Sequence, residues 1–124
     1  MNLLLPPSKT PVSDHHVLKF TKLHQKVHER LAPATPEEDS LCNEVVVGLW
    51  HYRRFRAKAM AHERNLKLLE NASGTNEAIE QTQREIADAH RQAKHQKNFA
   101  WRRRAKYFDL KTARENLERL PRAA

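Results

Sequence analysis

Asn71-Ala72-Ser73-Gly74 is the stretch that decides the fold. It is a short polar stop signal, with Gly74 placed to take the left-handed cap that ends many helices. The residues before it read as a helix reaching back to about Pro36. The residues after it read as a helix from Thr75 or Asn76 to about Arg119, just short of Pro121. A link of about four residues between two long helices makes them pack antiparallel. With the turn centred near Gly74, facing residues carry numbers that total about 147. Leu69 then meets Ala78, and Leu66 meets Gln81. Trp50, Tyr52 and Phe55 fall near Phe99 and Trp101, and Leu41 and Val45 lie opposite Tyr107 and Phe108. That the scarce aromatics coincide on the two arms is the internal check on this register. Ile79, Ile86, Ala93, Ala100 and Tyr107 recur at steps of seven, a coiled-coil-like seam whose second position is often polar.

Composition agrees with an all-α fold. Only two of the 124 residues are glycine, whereas a sheet protein needs many tight turns. Ala, Leu, Glu, Lys, Arg and Gln, which are good helix formers, dominate. Hydrophobic residues at 39% and charged residues at 31% suit long helices sharing a narrow seam better than a thick core.

Working outward, Thr35-Pro36-Glu37-Glu38 is the clearest helix start. Thr35 is the N-cap, and Pro36 stands where its missing N–H costs nothing. Glu38 is placed to return a bond to the Thr35 N–H in a capping box. Glu37, Glu38 and Asp39 favour the positive end of the helix dipole. Gly48 is the one residue against this helix, at a cost of about 1 kcal/mol. A first helix is expected over about 13–31, capped by Ser13 or Asp14 and ended by Pro33. Val17, Phe20, Val27 and Leu31, with His24 between them, form one narrow stripe. Pro6, Pro7 and Pro11 make residues 1–12 an extended arm. The expected organisation is therefore that arm plus one helical domain over 13–124. Its helices span approximately 13–31, 36–72 and 76–119, a long antiparallel hairpin with a shorter N-terminal helix packed at its base.

The net charge of +8 favours an acidic partner. It is clustered. Residues 35–45 hold four acids and no base, while residues 90–106 hold Arg91, Lys94, Lys97, Arg102, Arg103, Arg104 and Lys106 and no acid. Arg53, Arg54, Arg56 and Lys58 form a second acid-free group. His51, Arg54, Lys58 and His62 share one helix face, as do His90, Lys94, Lys97, Trp101 and Arg104. In the hairpin register 51 faces 97, 54 faces 94 and 58 faces 90, so the two rows lie side by side. Such rows repel one another, and an anion between them relieves the repulsion. The expectation is a phosphate-binding strip made of these eleven cations, with Tyr52 or Trp101 stacking on an unpaired base. Helical spacing does not separate RNA from DNA, and no zinc finger, RNP motif or GXXG loop is present. A rival expectation makes the aromatics core and the cations a solvated face.

Catalytic motifs are missing. There is no P-loop, dinucleotide fingerprint or nucleophile elbow, so neither an enzyme, a cofactor nor a small-molecule substrate is expected. Cys42 stands alone among acids and reads as an inert core thiol. His24 and His28 have metal-ligand spacing without a third ligand, so no metal site is expected. Met1 to Pro7 lacks the basic start of a signal peptide, no run suits a membrane span, and the single Cys fits a reducing compartment. The expected location is cytoplasmic.

The stretch from Leu18 to Glu63 resembles a family of uncharacterised basic helical bacterial proteins. That family's pattern is a basic helix, a Pro-Ala-Thr-Pro-Glu-Glu-type link, then an apolar run leading into Trp and several Arg. Here these are Pro33-Ala34-Thr35-Pro36-Glu37-Glu38, then Leu41 to Trp50, then Arg53, Arg54 and Arg56. The polar Asn/Gly/His-rich arm that often precedes the pattern is missing. The resemblance implies a bacterial, cytosolic origin and no particular activity. The functional expectation is a non-enzymatic subunit that binds nucleic-acid backbone in a larger complex, with protein partners or self-association. The alternative is an adaptor acting through coiled-coil contacts of residues such as Leu66, Ile79 and Ile86.

Overall fold

The computed structural model describes residues 14–120, with side chains from residue 16 onward. Three helices follow in order: α1 Asp14–Leu31, α2 Pro36–Asn71 and α3 Asn76–Arg119. No strand occurs among the described residues. The expected Pro-rich arm, and Ser13 as a cap, lie outside the described residues.

The start of α2 forms as its sequence dictates, with one difference. The Glu38 N–H donates to Thr35 Oγ1 at 3.1 Å. The Glu38 carboxylate does not return to the Thr35 N–H; it accepts from the Ala34 N–H at 3.3 Å and the Thr35 hydroxyl at 3.1 Å. At the far end of α2, Ser73 rather than Gly74 takes the left-handed backbone, with φ at 54°. The Gly74 N–H donates to the Leu69 carbonyl at 2.7 Å, which makes Ser73 the C′ residue and Gly74 the C″ residue of a Schellman motif. Glycine at 74 serves space instead: a Cβ there would stand 3.0 Å from the Leu69 carbonyl oxygen. Thr75 then caps α3 by accepting from the Ala78 N–H at 3.2 Å.

The chain groups into two compact units. One comprises α1, α2 as far as Gly48 and α3 from Phe99. Phe20, Leu23, Leu41, Val45, Val46, Ala100 and Tyr107 fill its core, and each large side chain buried this way contributes about 1.5–3 kcal/mol. The Tyr107 hydroxyl donates to the Leu31 carbonyl at the open end of α1. Burial first, then Glu38, raise the Tyr107 pKa, so it stays a donor. Glu38 is fully buried and holds Arg114 at 2.7 Å. Arg114 above all keeps its carboxyl below the ordinary range. His24 and His28 stack at 4.1 Å, and each places Nε2 about 3 Å from Asn43 Oδ1. The pair with metal-ligand spacing thus converges on an amide oxygen.

The second unit is the remaining hairpin, residues 49–98. Ala59 on α2 and Thr82, Ala89 and Ala93 on α3 are buried, with Leu66, Leu69, Ile79 and Ile86 half-buried beside them. Small residues at the seam let two helices approach without a thick core. His62 reaches Glu85 at 3.2 Å, as the expected register requires.

Candidate nucleic-acid interface

In the hairpin unit, Tyr52 and Arg56 from α2 meet His90, Ala93, Lys94, Lys97 and Asn98 from α3 around a concavity of about 400 Å³. No carboxylate lines it. Helical spacing builds it: Tyr52 and Arg56 are one turn apart, as are His90, Lys94 and Lys97. Tyr52 is half-buried and anchors the floor. Arg56 Nη1 donates to its hydroxyl at 3.4 Å, and Lys97 Nζ stands 5.9 Å from its ring centroid. Tyr52 thus contacts two of the cations, Arg56 through its hydroxyl and Lys97 through its ring. Glu63 holds His90 at 2.9 Å on the rim. Three exposed cations around an acid-free hollow can receive a phosphate, Arg56 through a planar fork and the lysines as point charges.

This arrangement differs from the expected pairing of Arg54 with Lys94. Arg54 and Lys58 are exposed but do not line the hollow. The α2 contribution is Arg56, because the seam passes through Tyr52, Phe55, Ala59 and His62. The residue immediately beyond Phe55 therefore stands on the α3 shoulder that carries His90 and Lys97. His62, expected in the basic row, instead turns to Glu85. His51 is half-buried, and burial, then Arg54, lower its pKa. Arg53 is exposed, and Arg91 is exposed beside Asp88 at 3.8 Å.

The other predicted cations belong to the three-helix unit. Arg102 and Lys106 are exposed. Arg103 is half-buried, lies 5.2 Å over Phe99 and pairs with Glu44 at 3.2 Å, so its guanidinium is engaged within the protein. Arg104 lies between Trp101 and Phe108, 5.0 Å from each ring. Trp101 is 52% exposed and Phe108 38%, so neither is core. Asn98 was missed by the sequence reading because an isolated amide carries no periodic signal. Phe108 was expected to face Leu41 and Val45 together with Tyr107, but only Tyr107 is buried.

Burial, then Asp39, push the Cys42 thiol up to about 12, leaving no thiolate at neutral pH. Among the described residues no group of three His, Cys, Asp or Glu is placed to hold a metal, and no helix is long and apolar enough to cross a membrane. Comparisons with family models, curated proteins and solved structures returned no significant match.

Proposed function

We propose that this chain is a non-enzymatic helical subunit that binds nucleic-acid backbone within a larger nucleoprotein assembly. The observation carrying this reading is the acid-free hollow of Arg56, Lys94 and Lys97 around Tyr52. Arg53, Arg54, Lys58 and Arg91 add exposed positive charge in the same unit, and Arg102, Arg104 and Lys106 do so in the three-helix unit. Contacts of this kind fix position along a strand rather than read its sequence.

The test is binding of a labelled single strand and a duplex at several salt concentrations. Affinity should fall steeply with salt, with a slope of about 0.7 per phosphate neutralised on a single strand. Arg56→Glu with Lys94→Glu should lower that slope by about 1.4 and cost roughly tenfold or more in affinity, with helicity intact. Unchanged affinity in this double variant would remove the hollow as the site.

A second reading, an adaptor that binds other proteins through coiled-coil contacts, draws support from the exposed Leu68, Leu117 and Leu120. Leu66, Ile79 and Ile86, which it would use, are half-buried along the hairpin itself. This reading predicts partner binding that is indifferent to salt and sensitive to the leucines.

A further inference from the structure

The outer surface of α3 in the three-helix unit carries an unusual ladder. Trp101, Arg104 and Phe108 occupy successive turns, and the Arg104 guanidinium is 5.0 Å from both ring centroids. Phe108 is set edge-on to Tyr107, at 5.3 Å between centroids and 73° between planes. Tyr107 is fully buried, so the ladder rests on a side chain the core holds still. Half of the Trp101 surface remains open to solvent. Arg104 has no carboxylate partner among the described residues. Its guanidinium stands near two rings rather than near an acid, and it carries five N–H donors. Exposed Arg102 and Lys106 flank the ladder, and the nearest acid along the chain is Asp109.

A surface built only for solubility would need Arg and Lys here but not two large exposed rings. A duct for duplex DNA would need the cations alone, because paired bases hide their faces. Rings and cations alternating along a helix match a chain in which bases and phosphates alternate. Each unpaired base has a π-face that stacks on Trp regardless of its identity, and each phosphate can be met by an arginine fork.

We propose that Trp101, Arg104 and Phe108 form a stacking platform for unpaired bases, so that the ligand class is single-stranded nucleic acid. This rests on the backbone-binding reading above and narrows it. One base stacks on the open face of Trp101, and Arg104 meets an adjoining phosphate. The platform is indifferent to base identity.

The intact chain supplies its own probe. Of its two tryptophans, Trp50 is 6% exposed and Trp101 is 52% exposed, so ligand-induced emission change reports Trp101. Four oligomers of equal length are titrated at low salt: single-stranded RNA, single-stranded DNA, an abasic DNA strand and a DNA duplex. Both base-bearing single strands should quench emission and bind more tightly than the abasic strand. Trp101→Ala should weaken single-strand binding by about five- to 150-fold, the equivalent of about 1–3 kcal/mol for one stacked base. It should leave duplex and abasic affinity and the salt slope unchanged. Trp101→Phe, which keeps a ring, should retain most affinity and lose the quench, and far-UV circular dichroism checks that both variants fold. RNA and DNA strands binding alike places recognition on the bases, and an RNA preference adds the ribose hydroxyl to the platform's contacts. If the abasic strand binds as tightly as the others with a steep salt slope, or Trp101→Ala leaves single-strand affinity unchanged, stacking is overturned while backbone binding stands. If no oligomer binds at low salt, both readings fall.

Discussion

Replacing Gly48 by alanine separates two opposing effects whose sizes can be set against each other. In an isolated helix the change is favourable, by about 1 kcal/mol. In the folded chain Gly48 is buried where α2 meets α3. An added Cβ would stand 3.0 Å from Ala100 Cβ, 3.1 Å from Phe99 Cδ1 and 3.3 Å from Ala100 Cα. The last of these is backbone, which cannot rotate away, so α3 itself must shift. Crowding of this kind typically costs about 1–3 kcal/mol. The net expectation is a loss of about 1 kcal/mol, or about 4 °C in Tm. Thermal melts followed by circular dichroism measure it, and Ala57→Gly at an exposed α2 position calibrates the propensity alone. Ala100→Gly should relieve the crowding, so the pair of substitutions should couple by about 1 kcal/mol rather than add. A Gly48→Ala protein more stable by the full propensity gain, or strict additivity with Ala100→Gly, would show that the helices are free to separate here. The close approach would then not be what glycine provides.

Two further outcomes concern the helix end and acid. Ser73→Gly should stabilise the chain by about 1 kcal/mol by removing a left-handed non-glycine residue; Gly74→Ala should destabilise it despite its ordinary backbone, because of the Leu69 carbonyl; melts that rank the two variants the other way would refute the cap described. Acid should act in two stages. Burial, then His28, hold the His24 imidazole below its ordinary 6.5, so the unfolded chain binds the proton first and stability falls as pH drops below about 6.5. Arg114 and then the Ala34 and Thr35 bonds hold the Glu38 carboxyl below its ordinary 4.5, so a second loss begins below about 4.5 and runs down through the folded value. Glu38→Gln should flatten the lower stage of a Tm-against-pH series and leave the upper one; an unchanged lower stage would place the acid sensitivity elsewhere.

The parts of this fold that were legible in the sequence are those fixed by neighbours along the chain. Thr35-Pro36-Glu37-Glu38 announced α2 because capping is local chemistry, and Asn71 to Gly74 announced the turn for the same reason. The register followed from the turn, and the His62–Glu85 pair agrees with its total of about 147, although His62 itself was expected in the basic row. Errors arose where a choice lay between equivalent local solutions. Either Ser73 or Gly74 could turn left-handed, and the Schellman bond from Gly74 to Leu69 decides for Ser73. Arg54 and Arg56 both follow the aromatic cluster, and only the path of the seam places Arg56 beside Lys97. Pairings between distant residues left no sequence signal. The Glu38–Arg114 pair spans 76 positions, and Glu38 had already been accounted for by the cap. Exposure of Phe108 was equally hidden, since residue type alone favours burial, whereas the sequence already offers Trp101 as a candidate surface ring beside its rival core reading.

The bond from Tyr107 to the Leu31 carbonyl also joins residues 76 positions apart, and so sets a schedule for synthesis. Every contact within residues 49–98 can form as soon as that stretch leaves the ribosome, starting from the tight reversal at Ser73. The three-helix unit cannot close until Tyr107 and Arg114 have emerged. Until then α1 has an unmatched carbonyl end and Glu38 has no guanidinium, so the nascent chain presents an acidic, half-assembled base while its basic hairpin is already formed. Premature termination after Asn98 but before Arg114 therefore yields a chain that retains the Arg56, Lys94 and Lys97 hollow but lacks the Glu38–Arg114 clasp.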